Sequence, residues 1–160
     1  MVEALIERGE TNITVFDLRQ SFHHPSVTFH IGDLTNTQNV QEACIGKTIV
    51  FHTASPPHGR PAEFYTKVNL YGTQNVIQAC LQAGVQKLIY TSSCSVVFDG
   101  SDLKGGDETL PYCENPMDPY NDTKVPVHYI IFSLCLSFFP YLYIDLSFSF
   151  FHHFSTNFET

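Results

Sequence analysis

The sequence predicts an α/β fold with a doubly wound parallel sheet, and three observations lead to it. Short β-branched and apolar runs alternate with helical patterns over residues 1–124. The helical patterns end at Gly9, Gly46 and Gly84, and glycine favours the left-handed conformation that terminates helices. Strands that alternate with helices indicate a parallel sheet covered on both faces, and right-handed crossovers restrict its topology to a doubly wound fold.

The elements are justified in chain order by periodicity and by the residues that end them. Strands are predicted where short apolar runs end at Asp, Gly or Ser, over residues 13–16, 27–31, 48–52 and 87–91. Helices are predicted over residues 2–8, 35–44 and 64–83, the second of them capped by Thr35. Residues 99–119 are rich in Gly, Pro, Asp and Glu, which predicts a surface loop over a substrate site.

Composition excludes several classes of function. The formal net charge is −8 and there is no basic run, which makes nucleic acid a poor candidate partner. The five cysteines are odd in number and form no C-x-x-C motif, and the eight histidines show no ligand spacing. Neither a disulfide framework nor a metal site is therefore expected.

The chain divides sharply by composition after residue 124. Residues 1–124 hold all eight Lys and Arg, whereas residues 125–160 hold none and are dominated by Phe, Tyr, Ser, Leu and Ile. We therefore predict a domain over 1–124 and an apolar tail over 125–160. The twenty residues 125–144 carry no formal charge, which is long enough to span a bilayer if helical, although Pro140 interrupts them.

The strongest chemical signal combines a Tyr-x-x-x-Lys motif with a strand-terminal serine pair. Tyr120 and Lys124 share one face of a helix, where the ammonium can lower the phenol pKa of about 10. Ser92 and Ser93 follow the fourth strand, and ligands bind at the carboxyl ends of strands in open α/β sheets. A tyrosine that only stacks on a lysine stem is the alternative interpretation of the motif.

Four segments resemble one known family. They are residues 50–57 (V-F-H-T-A-S-P-P), 68–77 (V-N-L-Y-G-T-Q-N-V-I), 84–93 (G-V-Q-K-L-I-Y-T-S-S) and 107–112 (D-E-T-L-P-Y). Together they resemble the extended short-chain dehydrogenase/reductase family, and within it the 3β-hydroxysteroid dehydrogenase group. The resemblance covers about residues 2–124 and implies a Rossmann-like sheet.

The resemblance implies three catalytic roles. Tyr120 would be the general acid/base, and Lys124 would lower its pKa and hold the nicotinamide ribose. Ser93 would bind the reacting oxygen, with Ser92 as the less favoured choice. No metal is implied.

The resemblance also implies a cofactor site. The cofactor-binding residues would be Asp17, Asp33, Leu34, Thr53, Ala54, Ser55 and Lys124. Asn69 would support the site from the long helix. The Asp17 carboxylate favours NAD over NADP, because it would repel a 2′-phosphate, while Arg19 nearby leaves NADP as the alternative. Asp17 and Asp33 could instead only end a strand and cap a helix.

The function implied is oxidation of a sterol or steroid 3β-hydroxyl with NAD(P), with decarboxylation of a 4α-carboxysterol in sterol biosynthesis. A flavonol-type reductase or a nucleotide-sugar epimerase is the rival within the superfamily. For the parent protein, the family implies a homodimer and a position at the cytoplasmic face of the endoplasmic reticulum membrane, or otherwise the cytoplasm.

Three departures from the family define a second hypothesis. The family's first strand and its G-x-x-G-x-x-G turn are missing, so the sheet is expected to lack its central strand and to expose two edges. A helix that begins near Pro119 would have Pro126 in its interior, at a cost of roughly 3 kcal/mol, which would disturb the turn that positions Lys124. The tail has no counterpart in the family. The alternative is therefore a catalytically inactive truncated or mis-spliced product, membrane-attached or rapidly degraded.

Overall fold

The computed structural model describes residues 1–101 and 109–138, and it has the predicted α/β architecture. The long helical stretch from residue 62 to residue 83 is unbroken but contains a π-helical turn, Thr66–Tyr71. The elements along the chain are α1 (Val2–Glu7), β1 (Ile13–Asp17), β2 (Val27–Ile31), α2 (Thr37–Cys44), β3 (Ile49–His52), α3 (Ala62–Tyr65), the π-helical turn, α4 (Gly72–Ala83), β4 (Lys87–Tyr90), a 3-10 helix (Cys94–Val97) and α5 (Pro119–Phe138).

The four strands form two separate parallel pairs. β1 pairs with β2 in the register Ile13 to Val27, and β3 pairs with β4 in the register Ile49 to Lys87. Among the described residues, no strand pairs with the second edge of β1 or of β3. This is the pairing expected of a doubly wound sheet without its central strand, because each half keeps its parallel ladder while the halves remain unjoined.

The core lies where α2, α4, α5 and strand β4 meet. α4 approaches residue 34 so closely that a Cβ on Gly72 would lie 2.8 Å from the Leu34 side chain, so a larger residue there would force Leu34 to shift. Gly84 ends α4 with φ +68°, as its helix-terminating role predicts. The principal buried residues are Leu34, Val40, Cys44, Val76, Ile77, Ala79, Cys80, Val85, Leu88, Tyr90, Val127 and Ile131.

The predicted cap of α2 is wrong by one residue. Asn36 is the N-cap, and its side chain accepts hydrogen bonds from the backbone N–H groups of Gln38 and Asn39. Thr35 is instead held by Asp33, whose carboxylate accepts bonds from the Thr35 N–H at 2.8 Å and from its hydroxyl at 2.9 Å. Thr35, which was predicted as the cap, is therefore part of a turn that the Asp33 side chain stabilises.

Helix α5 continues through the composition boundary at residue 124. Pro126 lies inside the helix but on its exposed side, while Val127 and Ile131 are buried in the core. The apolar face thus stabilises the helix despite the proline. Within the described residues, no helix combines the length and apolarity that a bilayer crossing requires. The domain boundary at 124 stays a prediction, and residues 139–160 of the predicted tail lie outside the described residues.

Two buried histidines are part of this core. The His52 Nε2 lies 2.8 Å from the Thr73 hydroxyl, and His128 contacts Ser92 and Tyr112. Burial, and then the charge of Lys124, lower the pKa of His52 to about 3 and that of His128 to about 4. Both rings are therefore neutral at pH 7.

We predict that Pro126→Ala stabilises the chain. Alanine restores the missing backbone N–H and removes the ring from the helix interior, where proline costs roughly 3 kcal/mol. Urea unfolding followed by circular dichroism should show a higher midpoint. Pro119→Ala is the matched control, since Pro119 is the first helical residue, where proline is favoured, and no gain is expected there. An unchanged midpoint for Pro126→Ala would contradict the described helix.

We also predict acid sensitivity from the two histidines. Their folded-state pKa values lie below the unfolded value of about 6.5. The stability they contribute is complete above pH 6.5 and is lost as the pH falls toward 4. Each ring should account for roughly 2 kcal/mol between pH 7 and pH 5. Urea unfolding at these two pH values checks this. His128→Gln should reduce the pH dependence, and the exposed His23→Gln should not.

Candidate active site

Helix α5 presents Tyr120 and Lys124 to the same region, as predicted. The Lys124 side chain is only 3% exposed, and its Nζ lies 5.3 Å from the ring centroid of Tyr120. The same Nζ lies 5.2 Å from the ring centroid of Tyr90 and donates a hydrogen bond to the Tyr90 hydroxyl at 3.1 Å. The ammonium is therefore held between two phenol rings, which stabilise a cation.

Burial changes the pKa values of two groups in this cluster, the Lys124 amine and the Tyr90 phenol. Desolvation lowers the pKa of Lys124 to about 8, so the amine is still mostly protonated at pH 7. Burial, with a smaller contribution from the charge on Tyr120, raises the pKa of Tyr90. Tyr90 therefore remains a neutral phenol that accepts from Lys124, while Tyr120, which is half-buried, is the phenol that faces a cavity.

The two serines have different partners. The Ser93 hydroxyl lies 2.8 Å from the Ser95 hydroxyl and accepts from the Ser95 N–H at 3.3 Å, so it caps the 3-10 helix. The Ser92 hydroxyl bonds Nε2 of His128 on α5. Among the described residues, neither serine is hydrogen-bonded to Tyr120. The role of Ser93 at the reacting oxygen stays a prediction.

His128 is a site residue that the sequence reasoning missed. It follows Lys124 by one helical turn, and both of its ring nitrogens have partners. Nε2 bonds Ser92, and Nδ1 lies 3.2 Å from the Tyr112 hydroxyl. The four-residue spacing from Lys124 was the signal that could have identified His128. A single histidine that follows a proline in an apolar stretch was not enough to predict a site residue.

Asn69 connects Tyr120 to the residues that follow strand β3. It lies in the π-helical turn, is 2% exposed, and accepts from the Ser55 hydroxyl at 3.2 Å. Its amide donates to the Thr123 hydroxyl at 2.9 Å, and that hydroxyl donates to the Tyr120 carbonyl at 2.7 Å. A continuous chain of hydrogen bonds thus runs through Asn69 from Ser55 to the Tyr120 carbonyl, and the supporting role of Asn69 stays a prediction.

A cavity of about 270 Å³ lies at the carboxyl ends of β1 and β2. We name it the dinucleotide cavity. Five of the predicted cofactor-binding residues line it, namely Asp17, Asp33, Leu34, Ala54 and Ser55. Thr53 and Lys124, which were also predicted to bind the cofactor, do not line it. Thr53 is exposed, and Lys124 is turned toward the two phenols.

The dinucleotide cavity fits the adenosine part of a dinucleotide. The carboxylates of Asp17 and Asp33 stand at the ends of adjacent parallel strands, where they can accept hydrogen bonds from ribose hydroxyls or an adenine amine. The buried Leu34 offers an apolar surface beside them. Among the described residues that line the cavity, no glycine-rich turn is present to hold a pyrophosphate.

A second cavity of about 160 Å³ borders Tyr120, and we name it the phenol cavity. The ring centroid of Tyr120 lies 5.2 Å from that of His58 and 5.9 Å from that of Tyr65. The residues lining the cavity are His58, Gly59, Arg60, Tyr65, Asp118, Pro119 and Tyr120. A ligand in this space would lie against the phenol.

Curated proteins are similar to this chain in sequence, and solved structures are similar to it in fold. The chain is 52% identical over 126 residues to the mouse sterol-4-alpha-carboxylate 3-dehydrogenase, decarboxylating, covering 78% of this chain and 34% of that protein. Identity to the human protein of the same name is 49% over 126 residues, again covering 78% of this chain and 34% of that protein. The chain thus spans about a third of the length of these relatives.

The solved structures agree on the fold. A UDP-glucose 4-epimerase from Thermus thermophilus, in complex with NAD, matches with a TM-score of 0.72 and 27% identity, covering 85% of this chain and 46% of that one. A UDP-galactose 4-epimerase matches with a TM-score of 0.74 and 28% identity, covering 86% and 47%. The model of the 3-beta hydroxysteroid dehydrogenase/isomerase family matches residues 1–133. Because that match includes the cavity residues and the Tyr120–Lys124 turn, the chain belongs to this family of oxidoreductases.

Proposed function

We propose that this chain forms the cofactor-binding and acid/base part of an NAD(P)-dependent dehydrogenase that oxidises a sterol 3β-hydroxyl. The observation that carries the proposal is the hydrogen-bonded chain from Ser55 through Asn69 and Thr123 to Tyr120. It fixes the backbone at Tyr120 relative to Ser55, which lines the dinucleotide cavity, and hydride transfer between alcohol and cofactor requires such fixed relative positions.

Tyr120 would act as the base for the alcohol proton. The Lys124 ammonium lies 5.3 Å from the Tyr120 ring centroid, so a positive charge stands beside the phenol that would take the proton. Ser93 or Ser92 would orient the alcohol oxygen from the end of β4. A bound nicotinamide would accept the hydride, and Asp17 and Asp33 would hold the adenosine part.

A 4α-carboxysterol is the substrate class we favour. The curated relatives from mouse and human are named as decarboxylating sterol-4-alpha-carboxylate 3-dehydrogenases. Oxidation of a 3β-hydroxyl beside a 4α-carboxylate gives a β-keto acid. Its carbon–carboxyl bond can then break, with release of CO₂ and transfer of the electron pair to the ketone as an enolate. The same Tyr120 phenol, protonated in the first step, could return a proton to that oxygen.

NAD is the cofactor we favour over NADP. The Asp17 carboxylate lines the dinucleotide cavity and would repel a 2′-phosphate. The Arg19 backbone N–H lies 3.4 Å from the Asp17 carboxylate, so an arginine also stands beside this position. The alternative proposal is a chain without enzymatic activity, and cofactor binding separates the two.

We predict saturable binding of NADH by the full chain. NADH fluorescence should rise on binding, and Asp17→Asn should weaken the affinity about tenfold, or about 1.4 kcal/mol, through loss of a charged acceptor. Glu3→Gln, a change on the exposed side of α1, is the control and should bind normally. A flat titration with the unmodified chain would exclude the dehydrogenase proposal in favour of the inactive alternative.

We predict that Tyr90→Phe lowers the pKa of Lys124 further below 8. The change removes the hydroxyl that accepts from the buried ammonium, so the charged form loses its partner. It should also lower the free energy of unfolding by about 1–3 kcal/mol. The pH dependence of competitive acylation, read by mass spectrometry, measures the pKa. Tyr71→Phe, at an exposed tyrosine, is the control, and equal values for both variants would refute the assignment.

A further inference from the structure

Arg60 belongs neither to the acid/base pair nor to the predicted cofactor-binding residues, and its role is still unassigned. It lines both the dinucleotide cavity and the phenol cavity. Its guanidinium carbon lies 5.7 Å from the ring centroid of Phe64, which also lines the dinucleotide cavity. Among the described residues that line the phenol cavity, Arg60 alone has a permanent positive charge.

The loop that carries Arg60 is fixed in place by a buried tyrosine. The Arg60 backbone N–H donates to the Tyr65 hydroxyl at 3.3 Å, and that hydroxyl donates to the Pro57 carbonyl at 3.0 Å. Tyr65 is only 3% exposed, and Gly59 has φ +83°, which the tight turn between these anchors requires. The loop is thereby held against Tyr120 through the ring contacts of His58 and Tyr65.

The cavity acids already have partners, whereas the guanidinium has no carboxylate partner in the part of the chain that the structure describes. Asp118 accepts the Asn121 N–H at 2.8 Å and so caps α5, and Asp33 holds Thr35. Within residues 1–101 and 109–133, no ion pair involves Arg60. An exposed guanidinium stacked on a phenyl ring, without a carboxylate partner, is suited to bidentate binding of carboxylate or phosphate.

We propose that Arg60 binds an oxyanion of a bound ligand at the junction of the two cavities. The proposal rests on the proposed function, since it assumes an alcohol at Tyr120 and a dinucleotide beside Asp17. Two sources have the required chemistry. One is a carboxylate next to the reacting alcohol, and the other is a phosphate of the dinucleotide.

The position of Arg60 has a consequence for substrate selection if the oxyanion is a carboxylate beside the reacting alcohol. An alcohol oxygen at the Tyr120 hydroxyl would place its neighbouring substituents in the phenol cavity, and Arg60 lines that cavity. In a 3-hydroxy acid the carboxyl carbon is two bonds from the alcohol carbon, and Tyr120 and Arg60 line the same cavity, which one such ligand would enter. Arg60 would then select hydroxy acids over plain alcohols and help to explain a preference for carboxysterols.

Chemical protection of the full chain tests the proposal without needing turnover. Phenylglyoxal modifies exposed arginines, and mass spectrometry reads Arg60 separately from Arg8 and Arg19. Three probes are compared: NAD⁺, a 3β-hydroxy-4α-carboxysterol in cyclodextrin, and the same sterol without the carboxylate. Slowing of the Arg60 reaction by about tenfold with the carboxysterol but not the plain sterol supports the carboxylate source. The same slowing with NAD⁺ alone supports the phosphate source.

Variants separate this inference from the proposed function. Arg60→Gln should weaken the affinity for the protecting probe about tenfold, Arg60→Lys should restore part of it, and Arg8→Gln at the end of α1 should change nothing. Normal NADH binding with no protection of Arg60 by any probe would overturn the inference and leave the proposed function intact. Protection by the carboxysterol without any NADH binding would support the Arg60 site and remove the dehydrogenase proposal.

Discussion

An ammonium group buried in a protein interior loses its hydration, and the surrounding groups must compensate for that loss. Lys124 is in this situation, and much of the structure around helix α5 can be understood from it. A phenol oxygen accepts from the amine and two aromatic faces lie about 5 Å away. The same charge helps to hold the nearby rings of His52 and His128 in their neutral forms. The catalytic proposal for Tyr120 depends on this compensated charge.

The position of that charge depends in turn on the packing of α5. Buried residues recur along the helix at the spacing of one face, at Thr123, Lys124, Val127, His128 and Ile131. Burial of this face continues past the point where the composition changes. The residues that look foreign to the domain by composition are, as far as Ile131, part of the packing that holds the ammonium. Solvent reaches the opposite face, which explains how a proline is accommodated.

Much of this arrangement could be predicted from the sequence, because it depends on periodicity and local chemistry. The strands, the long helix, its glycine end and the shared face of Tyr120 and Lys124 all follow from spacing. The resemblance to a family added Asp17, Asp33, Leu34, Ala54 and Ser55, which the fold brings to one cavity.

What the sequence did not predict depends on contacts between distant segments. The partner of Lys124 is Tyr90, thirty-four residues away, and no spacing rule relates a strand residue to a helix residue. The same holds for His128 with Ser92 and Tyr112. The position of Thr53 outside the cavity lining, and the position of Arg60 at two cavities, are decided by tertiary packing rather than by local preference.

The π-helical turn at Thr66–Tyr71 has a consequence for how the chain tolerates change. Such a turn inserts an additional residue relative to regular α-helix, so the side chains before it are rotated about the axis relative to those after it. Tyr65 and Asn69 are both buried and lie four residues apart, a spacing that shares one face in a regular helix as well, while α4 keeps its own apolar face on the core. Deletion of one residue between Tyr65 and Asn69 would leave the two side chains three residues apart, which is still one face of a regular helix. Loss of the π-helical turn is therefore a change in length that this stretch can absorb.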